Sequence, residues 1–143
     1  MTSGEGPAPG FVESKSRGPF TTHNGPVYHK PDEPFVRGFR ALPHHANGFG
    51  IVHGGWLMAF TDGVLGAAVY EAAKSRSVTL RMNADFIGMV RLGEWVEGRG
   101  LVTRATRSLV FARAELRAGG KVVLTAEGVF KLMTGGNRRA GRA

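Results

Sequence analysis

The chain has 143 residues, 42% of them hydrophobic, which suits one compact domain with its own core. It contains no cysteine, so disulfides, thiolate metal sites and a cysteine nucleophile are excluded. A net charge of +8, from 19 Lys and Arg against 11 Asp and Glu, favours an anionic partner such as nucleic acid, acidic lipid or a phosphate-bearing molecule.

No uninterrupted apolar run reaches the roughly 18 residues of a membrane span. The opening MTSGEGPAPG has no basic start followed by an apolar block, so no secretory signal is expected and a cytoplasmic protein is the reading.

Residues 1–34 are rich in Gly, Pro, Ser and Thr without a hydrophobic period, and are expected to be a flexible loop segment. A domain is expected over 35–133. It opens with a strand at 35–42, which Pro43 ends. Residues 54–74, GGWLMAFTDGVLGAAVYEAAK, are apolar nearly all round, which predicts a buried central helix. Gly63 and Gly66 each cost that helix about 1 kcal/mol relative to Ala, and close approach of a neighbouring backbone is the expected compensation.

Residues 77–87 alternate, with Val78, Leu80, Met82, Ala84 and Phe86 on one face and Ser77, Thr79, Arg81, Asn83 and Asp85 on the other. Two further strands are predicted at 94–107 and 108–118, a hairpin turn at Gly119-Gly120, and a last strand at 121–133. The basic tail 134–143, with Arg138, Arg139 and Arg142, is expected to be disordered.

A strand, a long apolar helix and then four strands with short connections imply an α+β fold. An antiparallel sheet wrapped around one central helix, the hotdog arrangement, satisfies that order. The outer sheet face and the sheet edges then need cover, so a dimer or tetramer is expected.

The chemistry is expected between Asn47 and Asp62. Asp62 is the only acid between His53 and Glu71, in a helix with no polar face for it to join. Burying a carboxylate without a partner is costly. Asp62 therefore either reaches solvent or a local network, or serves as general base or nucleophile, and the second reading is preferred. Gly54-Gly55 falls where the helix should begin. The first backbone N–H groups there have no helical partner, and glycine lets a ligand approach them, as a developing oxyanion would require. A glycine pair alone also makes an ordinary tight turn. His53 either polarises a carbonyl or caps the turn. Asn47 either orients water or takes a turn conformation. His44-His45 is expected at the surface, and no histidine pair has a metal-ligand spacing. Trp56, Met58 and Phe60 either line an apolar pocket or fill the helix core.

Asn47, His53-Gly54-Gly55 and Asp62, followed by Val78-Thr79 and Met82-Asn83, resemble the PaaI-like branch of hotdog acyl-CoA thioesterases over residues 39–133. The pattern N-x5-H-G-G-x6-D at a helix start carries the resemblance. It implies an acyl-CoA substrate bound between two subunits, with no separate cofactor. It implies that the Gly54 N–H polarises the thioester carbonyl and that Asn47 and His53 support that side. Asp62 of the other subunit would activate water or act as nucleophile, and Thr79 would help place the water. Arg104, Arg107 and Arg113 then become candidate contacts for the CoA phosphates, against the alternative of a solvated outer face.

Three other functions fit parts of the pattern. A hotdog hydratase or dehydratase of 3-hydroxyacyl thioesters would use His53 with Asp62. A non-catalytic acyl-CoA binder would bind without turnover. A nucleic-acid binder is motivated by charge alone, since no RNA-binding aromatic signature or helix-turn-helix pattern is present.

Overall fold

The computed structural model describes residues 6–15 and 18–133. The expected basic tail at 134–143 lies outside them. The elements in chain order are β1 (Val12–Glu13), α1 (Pro19–Asn24), β2 (Tyr28–Lys30), β3 (Glu33–Arg40), a 3-10 turn at Pro43–His45, α2 (Gly54–Ala73), β4 (Ser77–Phe86), β5 (Trp95–Ala105), β6 (Leu109–Ala118) and β7 (Lys121–Leu132). One seven-stranded antiparallel sheet has the order β1-β2-β3-β5-β6-β7-β4. Among the described residues, no helix is long and apolar enough to cross a membrane.

The α2 helix packs on one face of this sheet. Its buried residues, Trp56, Leu57, Phe60, Thr61, Val64, Leu65, Ala68 and Val69, recur at helical spacing and form one stripe. They meet Phe39 of β3, Val96 of β5, Val110 and Leu116 of β6, and Leu124 and Phe130 of β7 in one core. The helix is thus buried on one side rather than all round. Its other side carries Asp62, Gly63, Gly66, Ala67 and Tyr70, which remain at least partly accessible.

Close approach of helix and sheet does occur, but at different glycines from those expected. Gly63 and Gly66 face open space. The approach is made by β5, where a Cβ on Gly98 would lie 2.7 Å from the side chains of Val64 and Leu116. One on Gly100 would lie 2.8 Å from the Ala68 Cβ. A helix can lie this close to a sheet only where the strand beneath lacks side chains.

The segment before residue 35 also differs from expectation. Its described part is not simple loop: it contributes β1, α1, β2 and the start of β3. A second small core of Phe11, Tyr28 and Val36 packs with Trp95 and ties these strands to the sheet. The Phe11 ring meets Trp95 edge-on at 5.0 Å, and a Cβ on Gly38 would lie 2.2 Å from the Trp95 ring. Low hydrophobicity hides this segment because a few aromatic residues do most of its anchoring.

The strand at 77–87 forms, yet its alternation breaks. Thr79 pairs with Phe130, whereas Arg81 pairs with Val129, so the ladder shifts register at Leu80. Ser77 and Thr79 therefore share the helix-facing side with Met82 and Ala84, and Val78 is on the other. The turn at Gly119-Gly120 is as expected, with φ of +60° and +78° joining β6 to β7.

Candidate active site

The loop before α2 is built by Asn47. Its side-chain Oδ1 accepts from the Phe49 N–H at 2.8 Å and the Ile51 N–H at 3.3 Å. Its own N–H donates to the Ile51 carbonyl at 2.7 Å, and Gly50 turns the chain with φ +81°. Asn47 thus takes the turn role at this point, setting the entry angle of α2 through an Asx-type turn.

His53 is the N-cap. Its Nδ1 accepts the Gly55 N–H at 2.7 Å. That bond requires an unprotonated Nδ1, so the neutral ring carries its proton on Nε2, and the exposed side chain presents that N–H outward. The His53 carbonyl accepts from the Trp56 N–H at 3.0 Å and the Leu57 N–H at 3.2 Å. The remaining first-turn donor is the Gly54 N–H, which has no partner among the described residues. It sits at the positive end of the helix dipole. The Phe86 ring stands beside Gly54, 3.3 Å from where a Cβ would be.

Two turns further along the helix is Asp62, half-buried. Its Oδ1 accepts a hydrogen bond from the Thr79 Oγ1 at 2.6 Å. The register shift at Leu80 is what turns Thr79 toward α2. Asp62 and Thr79 are therefore brought together, as are Asn47, His53 and Gly54. The two groups are not brought together within one chain, because eight helical steps from Gly54 to Asp62 make a rise of about 12 Å.

The three arginines lie elsewhere. Arg113 stands between Ala112 and Ala114, which face the core, so it projects from the opposite side of the sheet. Arg104 pairs with Phe111 in the same alternation, and Arg107 lies in the β5–β6 turn. All three are exposed, and Arg104 and Arg113 are on the face of the sheet away from the core.

Asp62 also lines a cavity of about 540 Å³ that runs along the accessible side of α2. Trp56 and Phe60 contribute to both the core and this cavity, while Met58 is not among its lining residues. Part of the wall comes from Phe20, Thr21 and Val27, in the segment expected to be loop. His45 also departs from the surface position expected for it. It is 2% exposed, stacked on Trp56 with ring centroids 5.1 Å apart, whereas its neighbour His44 is exposed as expected. The two rings lie 4.2 Å apart, centroid to centroid, and only that of His45 is turned into the core by the 3-10 turn begun by Pro43, which no periodic signal in the sequence marks.

A long helix laid on one antiparallel sheet, with a glycine at its capped start and a carboxylate two turns on, is the hotdog arrangement. The sequence pattern of the thioesterase superfamily matches residues 49–125, more than half of the chain, and includes Gly54, Asp62 and Thr79. The chain belongs to that superfamily. It is 35% identical over 115 residues to "Putative esterase PA0474" of Pseudomonas aeruginosa, covering 76% of this chain and 84% of that one. Among solved structures it resembles the TT0310 protein of Thermus thermophilus, with a TM-score of 0.71 and 26% identity over 82% of this chain and 100% of that chain. A variant of phenylacetic acid degradation protein PaaI from the same organism shares the fold, with a TM-score of 0.70 and 24% identity over 81% of this chain and 100% of that chain.

Proposed function

We propose that this thioesterase-superfamily protein hydrolyses acyl-CoA thioesters at a site shared between two copies of the chain. The observation that carries the reading is the partition of the first-turn donors. Three are occupied by His53, and the Gly54 N–H alone is left to meet a ligand. A thioester carbonyl placed there is polarised by the N–H and the helix dipole. The attacking water needs a base, and Asp62 of the same chain is about 12 Å away along the helix, too far to act on that carbonyl. Asp62 of a second copy supplies the base instead. Its partner Thr79 orients the carboxylate and, through it, the water.

In the proposed step, Asp62 takes a proton from water and the hydroxide oxygen bonds to the thioester carbon. The carbonyl electrons move to oxygen and are held at Gly54. Collapse breaks the carbon–sulfur bond, and CoA leaves as its thiolate and takes up a proton. His53, with Nε2–H outward, and Asn47, through the loop it braces, support the carbonyl side. Arg104, Arg107 and Arg113 of a neighbouring subunit take the CoA phosphates.

Self-association follows from the sheet. The β4 strand is ten residues long and terminates the sheet order, with one side unpaired among the described residues. Val78, Leu80 and Phe86 on it are 46%, 55% and 52% exposed, and Ile87 and Met89 follow at 58% and 62%. A long apolar edge of this kind is normally covered, here by a second copy.

The test measures thiol release from short, medium, long and aromatic acyl-CoAs. The protein contributes no thiol background because it has no cysteine. Turnover that is lost in a folded Asp62→Ala variant supports the reading. Unchanged turnover in that variant, or an enoyl thioester product instead of free thiol, overturns it.

A further inference from the structure

The cavity beside Asp62 is closed partly by a segment outside the 49–125 match, and that segment is attached in an unusual way. Helix α1 contributes no buried residue. Phe20 lines the cavity and is still 63% exposed. The segment's C-terminal end is held by histidine hydrogen bonds. The buried His45 Nε2 donates to the Asn24 carbonyl at 2.5 Å, its Nδ1 accepts from the Leu42 N–H at 3.0 Å, and His44 Nε2 bonds the Gly25 carbonyl at 2.8 Å. Beyond that point the Val27 carbonyl accepts from the Ser14 N–H at 2.8 Å. Helix α1 thus borders the cavity without a buried residue of its own.

The cavity is lined by both apolar and charged side chains. Val27, Phe60, Val64, Ala67 and Tyr70 supply the apolar surface, and Arg37, Glu71 and Arg76 also line it. From Asp62 to Tyr70 is a rise of about 12 Å along α2. Its volume is within the range of small-molecule sites, which are mostly apolar with a few polar groups.

We propose that residues 18–27 form the outer wall of the acyl pocket and select for apolar acyl groups longer than acetyl. The inference rests on the thioesterase reading, since it takes the carboxylate lining the cavity as the reacting end. An acyl chain leaving the carbonyl would run from Asp62 along α2 beneath Phe20, and would cover the apolar surface that Phe20 leaves open. An acetyl group is too short to reach that wall. Selectivity in such a pocket is set by apolar contact, where even one methylene changes the rate by roughly 10-fold or more.

The experiment compares kcat/KM for octanoyl-CoA and acetyl-CoA in wild type, Phe20→Ala and Thr21→Trp. The first variant removes the wall and the second narrows the space beneath it, and both sites are exposed positions on α1. The octanoyl-to-acetyl ratio should fall about tenfold in each. An unchanged ratio, or equal losses on both substrates, overturns the proposal. A change of oligomeric state with the ratio unmoved assigns the groove to a second copy and also overturns it. If the wild type hydrolyses neither thioester, the thioesterase reading fails separately. The wall is then read by binding of the non-hydrolysable octanoyl and acetyl thioethers of CoA. A tenfold weaker octanoyl preference in Phe20→Ala supports the wall, and equal preference or no binding of either overturns it.

Discussion

The Thr79 hydroxyl donates to the Asp62 carboxylate at 2.6 Å, linking the strand at the free edge of the sheet to the central helix. The bond is short and charge-assisted, and it leaves the second carboxylate oxygen for a water. Replacing Thr79 by Val keeps the shape and removes the donor. A hydrogen bond to a charged group is worth about 1.5–3 kcal/mol, so kcat should fall by roughly one to two orders of magnitude. Stability should fall by less than that figure, because water can replace the lost donor at an exposed position. Steady-state kinetics beside a denaturant titration separates the two effects.

A site divided between chains makes a complementation test possible. Gly54 is the first helical residue, where proline is tolerated and removes only the N–H under discussion. Gly54→Pro should lower kcat by about 10²–10³, as loss of one oxyanion donor does. The Phe86 ring must also give by a few tenths of an ångström. Mixing this variant with Asp62→Ala after unfolding and refolding should restore turnover, since a mixed dimer holds one intact pair. Failure to restore it in demonstrated mixed dimers contradicts a shared site.

The free edge at β4 should govern assembly. Val78→Lys places a charge on an edge residue that is 46% exposed in the single chain. Sedimentation should show a smaller species, and turnover should fall with it. A monomer that keeps full activity would contradict the two-copy site.

Acid stability should depend on His45. Burial lowers its pKa, the hydrogen bond to the Asn24 carbonyl opposes that, and the nearby His44 charge adds to the lowering. The folded state therefore favours the neutral ring, whose Nδ1 accepts from the Leu42 N–H. With the folded pKa below the ordinary 6.5, the unfolded chain binds the extra proton first. The stabilisation is complete above pH 6.5 and is lost as pH falls below it, by at most about 1.4 kcal/mol per unit. Chemical denaturation from pH 7.5 to 5 should show that slope in wild type and a flatter one in His45→Gln.

Core packing should be least forgiving on β5. Gly98→Ala pushes a Cβ within 2.7 Å of Val64 and Leu116 side chains, both fully buried. Overpacking of this kind costs about 1–3 kcal/mol. A lowered melting temperature with the helix content retained is the expected result.

Much of the candidate site can be read without coordinates. Asp62 is visible because a carboxylate stands alone in an apolar helix, and Gly54 because glycine stands where the helix has to begin. The proposed role of Thr79 is legible only through resemblance, since strict alternation puts it on the face opposite Met82 and Ala84. A one-residue shift at Leu80 reverses that, and such a shift depends on how β7 pairs rather than on the residues of β4. Gly63 and Gly66 stand out in the helix, whereas the glycines that the packing requires are on the strand beneath it.

The sequence alone determined the order and type of the main elements, because hydrophobic period and turn residues act over a few positions. It also singled out Asp62 and the helix start, whose oddity is local. Only the tertiary structure decided which strand edge is free, which first-turn N–H lacks a partner, and that α1 walls the cavity. It also decided that Gly54 and Asp62 of one chain lie too far apart to act on one carbonyl. Those outcomes depend on contacts between residues distant in sequence, and no local pattern encodes where such residues meet.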